Sequence, residues 1–417
     1  MRALHTAEIL AVGSELLTPF RLDTNSLFLT ERLNDLGIDV RWKTVVGDRR
    51  EDLAAAIRCA LDRADAVVAT GGLGPTADDL TREVTAELLH LELDEDVSIL
   101  DAIRSRFLAR GMSMPAANRR QALVPRGAIA LDNPLGTAPG LWIESGERVL
   151  VLLPGPPREL RPMFEAGIAP RLRGRTIGRA LRRRVIKVAG RSESAVEETA
   201  HPIYSAFGGD VPIETTILAA PGQIELHLSA WGPDVAPLDG ALDAAVARLG
   251  AALGTAVFST DGRALEAVVG GRLRELGLRI AVAESCTAGL ILGRLTDVPG
   301  SSAWVVGGIV AYDNDVKVRD LGVGADVLRM HGAVSEPVAQ QMAADVRTRL
   351  GAEVGLAVTG IAGPTGGTPG KPVGTVVIAV AAPSADRART FSFPGDRATI
   401  RQHAIAAALN MVRLALE

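Results

Sequence analysis

Short apolar runs that end in glycine and pass into helix-period stretches constrain this chain more than any other feature. AEILAVG (7–13) reads as a buried strand, and Asn25 to Gly37 as an amphipathic helix. Val40 to Val46 is a second strand, Glu51 to Arg63 a second helix, and Ala66 to Thr70 a third strand. The turn GGLGPT then leads into a helix from about Asp79 to His90. Strands and helices in strict alternation predict right-handed crossovers and a mostly parallel sheet. Further on, VLVLLPGPPREL supplies another buried strand, a Pro/Gly turn and a helix start.

The texture changes twice along the 417 residues. From about 171 to 254 an arginine-rich stretch (Arg171, Arg173, Arg175, Arg179, Arg182, Arg183, Arg184) precedes VIKVAG and a helix from about Glu193. GQIELHLSAWG alternates with the two-residue period of a half-exposed strand. Trp231 to Gly240 reads as a turn-rich loop and Ala241 to Leu253 as a helix. From about 255 the α/β alternation resumes: a helix at 262–276, the strand RIAVA, a helix from Thr287, and the strand VVGGIVAY. A helix at 335–350, the strands VGLAVTG and GTVVIAV, and a helix at 396–416 complete it. The predicted class is α/β: a mostly parallel N-terminal domain (1–170), a small α+β middle domain (171–254) and a C-terminal α/β domain (255–417).

Composition narrows the function classes. Aromatic residues are only 3 % of a chain that is 47 % hydrophobic, so the cores must be built from Ala, Val, Leu and Ile. That scarcity speaks against a single-stranded nucleic-acid platform, which stacks bases on aromatic rings. A net charge of −4 gives no global pull toward nucleic acid or anionic lipid. Cys59 and Cys286 are no disulfide framework, so a reducing compartment is the natural reading. No apolar stretch approaches the length of a membrane span, and the first apolar run is too short for a signal peptide. The expectation is a cytoplasmic protein with no membrane or nucleic-acid partner. Exposed sheet edges and a multi-domain build suggest a homodimer.

Two constellations carry chemistry. In ATGGLGPTADDLT (69–81), Gly71, Gly72 and Gly74 leave the backbone bare, so its N–H groups can approach an anion. Asp78 and Asp79 at the following helix start suit either a helix cap or a divalent metal bridged to phosphate. GSELL (13–17), NPLGTAPG (133–140) and LPGPPREL (153–160) fit the same site, since ligands of open α/β sheets sit at the carboxyl ends of the strands.

The second constellation is AESCTAG (283–289). Ser285 follows a strand at a strand-to-helix turn, where its hydroxyl is exposed and the next backbone N–H groups can hold an oxyanion. A helix cap is the bland alternative, and Cys286 is a rival nucleophile. PGSSAW (299–304), AYDNDVK (311–317) and VTGIAGPTGG (358–367) add hydroxyls, a tyrosine, a lysine and a Gly-rich loop. The six histidines are scattered and form no triad or metal-spaced pair. A lysine of lowered pKa can replace histidine as the base, and Lys317 is the candidate.

AVGSELL, DTN, TGGLGPTADDLT, GTAPG and LPGPPREL, in that order, resemble the molybdopterin-binding-like domain that opens the competence/damage-inducible CinA proteins. The resemblance covers about 7–165 and implies a nucleotide-phosphate site. In several such proteins the domain is similar to a metal-dependent ADP-ribose pyrophosphatase, which implies ADP-ribose as a ligand and an unidentified divalent metal at Asp78 and Asp79. Ser14 stands where the family often has Asp or Thr, and a hydroxyl is a poor ligand for a divalent metal.

AESCTAG, PGSSAW, AYDNDVK, HGAVSEPVA, TGIAGPTGG, KPVGTV and GDR are similar to the C-terminal CinA domain and to the stand-alone nicotinamide-mononucleotide deamidases, over nearly all of 262–416. Carried over by motif, Ser285 is the nucleophile, Lys317 its base, and Tyr312 a hydrogen-bonding partner of that pair. Ser302, Thr359 and Gly360 would line the substrate site, and Arg397 would bind the nucleotide phosphate or carry part of the polar network. Ala288 replaces the usual first glycine of SCTGG and is expected to lie harmlessly in the helix. The implied reaction converts nicotinamide mononucleotide to nicotinate mononucleotide and ammonia by a Ser-Lys mechanism, with no cofactor. The alternative is a nucleotide- or molybdopterin-binding protein that acts in competence or the DNA-damage response without turnover.

Overall fold

The computed structural model describes residues 3–176, 178–383 and 386–417. The chain is α/β and divides into two compact units, 1–181 with 231–236, and 182–230 with 237–417. Most of the middle segment thus belongs to the same unit as the C-terminal segment.

In the first unit a six-stranded sheet has the order Asp39–Val46, Thr6–Val12, Ala66–Thr70, Arg148–Leu153, Gly140–Ser145, Ile129–Leu131. The first four strands run parallel; the last two join antiparallel. Both faces are covered, which is why the central strands read as continuous apolar runs. Ile9, Val68 and Val151 pack with Leu29, Leu33 and Phe164 on one face. On the other, Leu10, Val67 and Leu152 pack with Leu53, Ile57 and Ala60. Glu8, the one acid inside AEILAVG, is 1 % exposed. It is matched by two Arg63 nitrogens and the Thr44 hydroxyl, each at 2.7 Å, so the burial leaves no unpaired charge.

In the second unit a five-stranded sheet has the order Val305–Val310, Ile280–Glu284, Val354–Gly360, Thr375–Ala381, Asp386–Ser392. The first three strands are parallel and the rest antiparallel. One face is built of Ala281, Ala283, Ala357 and Ala379 against Ala339 and Ala343 of the helix Glu336–Leu350. Small side chains let the helix approach so closely that a methyl group on Gly355 would collide with the Ala343 carbonyl. This close approach is how an aromatic-poor chain fills its core. The same unit holds a four-stranded sheet, Ile213–Ala220, Gln223–Gly232, Ala180–Ala189, Val257–Ser259. There Ile224, Leu226, Leu228 and Ala230 are buried in strict alternation, as the sequence pattern requires.

Two expectations need correction, and one strand was not anticipated. The segment expected as a loop to Gly240 is helical from Val235, in the helix Val235–Leu253. Pro237 falls in its first turn, where no N–H is needed. Burial of Leu238, Leu242, Ala245, Leu249 and Leu253 outweighs the roughly 1 kcal/mol that Gly240 costs. The helix expected from Thr287 begins three residues later, as Leu290–Thr296. Asp386–Ser392, for which no strand was expected, forms the edge of the five-stranded sheet, where its charges protect against further pairing. Among the described residues no helix is long and apolar enough to cross a membrane.

Candidate functional site

Ser285 is the first residue beyond the strand Ile280–Glu284. Its N–H donates to Val358 O at 2.9 Å, which fixes it beside the neighbouring strand. The chain then turns sharply: Ala288 has φ +51° and Gly289 φ +91° before the helix Leu290–Thr296 starts. Ala288 is therefore not helical as expected. It pays a left-handed backbone of roughly 1–2 kcal/mol because the turn must reverse within the four residues from Ser285 to Ala288.

Glu284 holds that turn. Its buried carboxylate accepts from Gly289 N (3.0 Å), Ile291 N (3.1 Å) and Leu292 N (2.9 Å), satisfying the helix start from below. The Ser285 hydroxyl is thereby freed from the capping role that its position suggests. Among the described residues, the N–H groups of Cys286 and Thr287 donate to no other residue. They belong to the two residues that follow the serine, the place from which an oxyanion site is built.

Lys317 is 1 % exposed on the helix Asn314–Leu321. Its Nζ donates to the carbonyls of Ala311 (2.8 Å), Tyr312 (3.2 Å) and Asp313 (3.4 Å). Ala311 N in turn donates to Glu284 O at 2.8 Å, so two hydrogen bonds link the lysine to the residue before Ser285. Burial pulls the Lys317 pKa below the ordinary lysine value, opposed by the negative charge of Asp313. Cys286 goes the other way: it lies 5 % exposed in the apolar cluster, and burial pushes its thiol up to about 11. A thiol so protonated is a poor nucleophile at neutral pH.

Thr359 sits at the carboxyl end of Val354–Gly360, one residue past the partner of Ser285, and donates to Ala333 O at 2.9 Å. Gly360 packs so tightly on the next strand that a Cβ would lie 2.9 Å from Val376 Cγ2. Arg397 donates to Gly363 O and to the Tyr312 hydroxyl, both at 2.9 Å, tying the Gly-rich loop to the end of Val305–Val310. The Tyr312 hydroxyl thus bonds Arg397 rather than the Ser-Lys pair, and Tyr312 reaches Lys317 only through its backbone carbonyl. Arg401, one turn along the same helix, donates to Thr287 O at 2.8 Å.

Ser302 is not brought to this site. Trp304 O accepts from Ile280 N at 2.8 Å, so PGSSAW lies at the amino end of the strands. Five strand residues at about 3.3 Å each put it roughly 16 Å from Ser285 along the sheet. The loop precedes its strand instead of following it, and the spacing alone does not distinguish the two ends.

The first unit has its own cavity, about 440 Å³, at the carboxyl ends of its parallel strands. Gly71 and Gly72, at φ +111° and +65°, turn the chain out of the strand Ala66–Thr70. A Cβ on either would collide, with Val12 O and Thr81 Oγ1 respectively. The N–H groups of Gly72, Leu73 and Gly74 have no partner among the described residues. The turn is clamped from behind: Arg82 and Gln121 both donate to Leu73 O at 3.3 Å, and Arg120 donates to Asp79 O at 2.8 Å. Arg106, Arg110 and Arg158 face the same cavity with Glu15, Asp48, Asp78 and Glu159.

A divalent metal fits this cavity poorly. The Asp79 carboxylate accepts from Thr76 N at 2.9 Å and from the Thr76 hydroxyl, and so closes the turn. Asp78 is exposed, with its pKa held down chiefly by the Thr76 hydroxyl. Ser14 and Asp48 cap each other, Ser14 N to Asp48 Oδ2 at 2.7 Å and Asp48 N to Ser14 Oγ at 3.1 Å. Among the described residues no three His, Cys, Asp or Glu side chains converge on a metal position.

Comparison with known proteins places both halves. Residues 262–416 match the family model described as the CinA C-terminal domain, and residues 8–174 match the one described as "probable molybdopterin binding domain". A CinA-like protein of Acidobacterium capsulatum is 46 % identical over 411 residues, 98 % of this chain and 99 % of that protein. The chain belongs to the CinA family. A second CinA-like protein, from Koribacter versatilis, is 44 % identical over 98 % of this chain and 99 % of its own length. A solved competence/damage inducible protein from Agrobacterium tumefaciens is 41 % identical and covers 37 % of this chain and 94 % of its own, with a TM-score of 0.36.

Within this CinA chain, sequence reasoning passed over Glu284, Arg401, Asp48, Arg106, Arg110 and Arg158. Glu284 had a signal: an acid at the end of an apolar strand, where the chain turns toward the next helix. Arg401 had one too, standing four residues after Arg397 on the same helix. Arg106 and Arg110 share that spacing, and Arg158 joins them only in three dimensions.

Proposed function

We propose that the C-terminal domain is an amidohydrolase that converts nicotinamide mononucleotide to nicotinate mononucleotide and ammonia through an acyl-enzyme on Ser285. The observation that carries this reading is the buried lysine: Lys317 is fixed by Ala311 O, and Ala311 is itself bonded to Glu284, the residue before Ser285. A neutral amine has two N–H donors. It keeps the two shorter bonds, to Ala311 and Tyr312, and gives up the 3.4 Å contact with Asp313, freeing its lone pair for a hydroxyl proton.

Lys317 takes the proton of Ser285, and the oxygen attacks the carboxamide carbon. The N–H groups of Cys286 and Thr287 receive the developing oxyanion. Collapse breaks the C–N bond, and the departing nitrogen takes the proton from Lys317 as ammonia. Water, deprotonated by the same amine, then cleaves the ester. Arg397, at the mouth of the Gly-rich loop, supplies a cation for the substrate phosphate. Acid quench of the enzyme with nicotinamide mononucleotide, followed by peptide mass mapping, tests the route. A nicotinoyl-mononucleotide adduct on the Ser285 peptide is expected; an adduct on Cys286, or turnover with no adduct to Ser285→Ala-sensitive peptide, refutes it.

The N-terminal cavity supports a second proposal, binding of a nucleotide diphosphate such as ADP-ribose on the Gly71–Gly74 turn. The free N–H groups and three facing arginines favour it. The committed Asp79 carboxylate favours binding without turnover over cleavage. Titration with ADP-ribose, and release of AMP and ribose 5-phosphate with and without divalent metal, separates these. Metal-dependent release would restore the pyrophosphatase reading, and absence of binding would remove both.

A further inference from the structure

The loop 361–374 leaves the strand Val354–Gly360 at the edge of the sheet where Ser285 lies, and returns as Thr375–Ala381. A cation stands on either side of it. Arg397 donates to Gly363 O near the start of the loop, and Lys371, near its end, donates from Nζ to His331 O at 2.7 Å. Arg397 opens the helix Arg397–Ala415, which packs on one face of the sheet through Ile400, Ala404 and Leu409. His331 closes the helix Ala325–His331, which packs on the other face through Val327 and Leu328.

We propose that Lys371 is a second anchor for the phosphate of the substrate, and the residue that makes the site select a phosphorylated nucleotide over the free nucleoside. The proposal rests on the amidohydrolase reading of the C-terminal domain. Three observations carry it. First, the charge of Lys371 is not neutralised. Among the described residues Lys371, Arg397 and Arg401 are held by neutral oxygens alone: His331 O, Gly363 O with the Tyr312 hydroxyl, and Thr287 O. Elsewhere in the same unit Arg263, Arg272 and Arg279 pair with Asp261, Glu275 and Glu353. Cations without a counter-ion keep their field for an incoming anion.

Second, the lysine is fixed and has donors to give. An ammonium carries three N–H groups, and His331 O takes one. A methyl group on Gly332 would lie 3.5 Å from Nζ, so the head is seated against the end of the helix. The backbone is fixed too: Thr368 N donates to Lys371 O at 2.9 Å and Lys371 N to Thr368 O at 3.1 Å. A lysine held at both ends is ordered before the ligand arrives. Third, the segment it holds is also held by the site. Thr359, which follows the partner of Ser285, donates to Ala333 O at 2.9 Å, two residues from His331. Between the two cations the N–H groups of Thr365, Gly366 and Gly367 have no partner among the described residues, which suits an anion.

The test is steady-state ammonia release by the full chain from nicotinamide mononucleotide and from nicotinamide riboside, the same amide without the phosphate. Wild type is expected to prefer the mononucleotide by about 100-fold or more in kcat/KM, the gain from two charge-assisted anchors. Lys371→Met removes the charge and keeps most of the length. It should cut that preference about tenfold, through a higher KM for the mononucleotide. Lys371→Arg should restore most of the preference, since the charge returns. A lysine that only capped the helix would affect both substrates together, so an unchanged ratio in Lys371→Met overturns the proposal. A wild type that releases ammonia equally fast from both substrates overturns it too, and leaves the amidohydrolase reading standing. Release from neither substrate removes that reading, and the proposal with it.

Discussion

At the carboxyl end of Ile280–Glu284 the two charged groups, Glu284 and Lys317, are buried and already paired, and two N–H groups stay open; at the carboxyl end of Ala66–Thr70 no such buried lysine stands behind the open donors. Glu284 is spent on three N–H groups and Lys317 on three carbonyls. In the first unit the N–H groups of Gly72, Leu73 and Gly74 face a cavity ringed by arginines of mostly unused capacity. The difference follows from what each site must do. A covalent step needs a nucleophile and a base fixed before substrate arrives, and burial lowers the basicity of the amine to a usable range. A binding turn needs donors with nothing else to bond, so that the ligand completes them.

The largest effect that would break this contrast is on the lysine. Lys317→Ala should lower ammonia release by about 10³-fold or more, within the span expected for a lost general base. Lys317→Ala with near wild-type turnover would reduce the buried lysine to a structural role. The pH dependence sharpens the same point. Because the amine must be neutral, kcat/KM should rise with pH, about tenfold per unit, and level off above the depressed Lys317 pKa, below the ordinary lysine value. A rate that fell over that range would mean the working form is the ammonium.

In the first unit, Gly71→Ala should weaken ADP-ribose binding by roughly 10- to 100-fold, because a non-glycine residue at φ +111° adds about 1–2 kcal/mol of backbone strain and forces the turn away from Val12. Unchanged affinity in titration would mean that the turn does not carry the phosphates. The smallest expected effect concerns Ala288. Its φ of +51° makes Ala288→Gly stabilising by up to about 1 kcal/mol in urea unfolding, the relief of strain being partly offset by glycine's freer unfolded chain. A destabilised variant would show that Ala288 is held there by contacts worth more than the strain.

Much of this was legible in the sequence, and for physical reasons. Strands buried on both faces leave continuous apolar runs, so Thr6–Val12, Ala66–Thr70 and Val354–Gly360 could be read directly. Ser285, Thr359 and Gly71 were legible because a residue just past a parallel strand must lie at the carboxyl edge of the sheet. Ser302 misled because its loop precedes a strand, and only the pairing of Trp304 with Ile280 reveals which edge it occupies. The left-handed Ala288 was hidden because alanine is the best helix former, and only the backbone dihedral exposes the turn. Arg158 meets Arg106 and Arg110 from a segment distant in sequence, a convergence that no local pattern encodes.

The most direct measurement is ammonia release from nicotinamide mononucleotide by Ser285→Ala beside Cys286→Ala. Ser285→Ala should fall by about 10³-fold or more, whereas Cys286→Ala, which trims a buried thiol, should stay within about fivefold of wild type while losing roughly 1 kcal/mol of stability. Turnover by Ser285→Ala at the wild-type rate, or its loss in Cys286→Ala with the fold intact, would contradict the assignment of the serine as nucleophile.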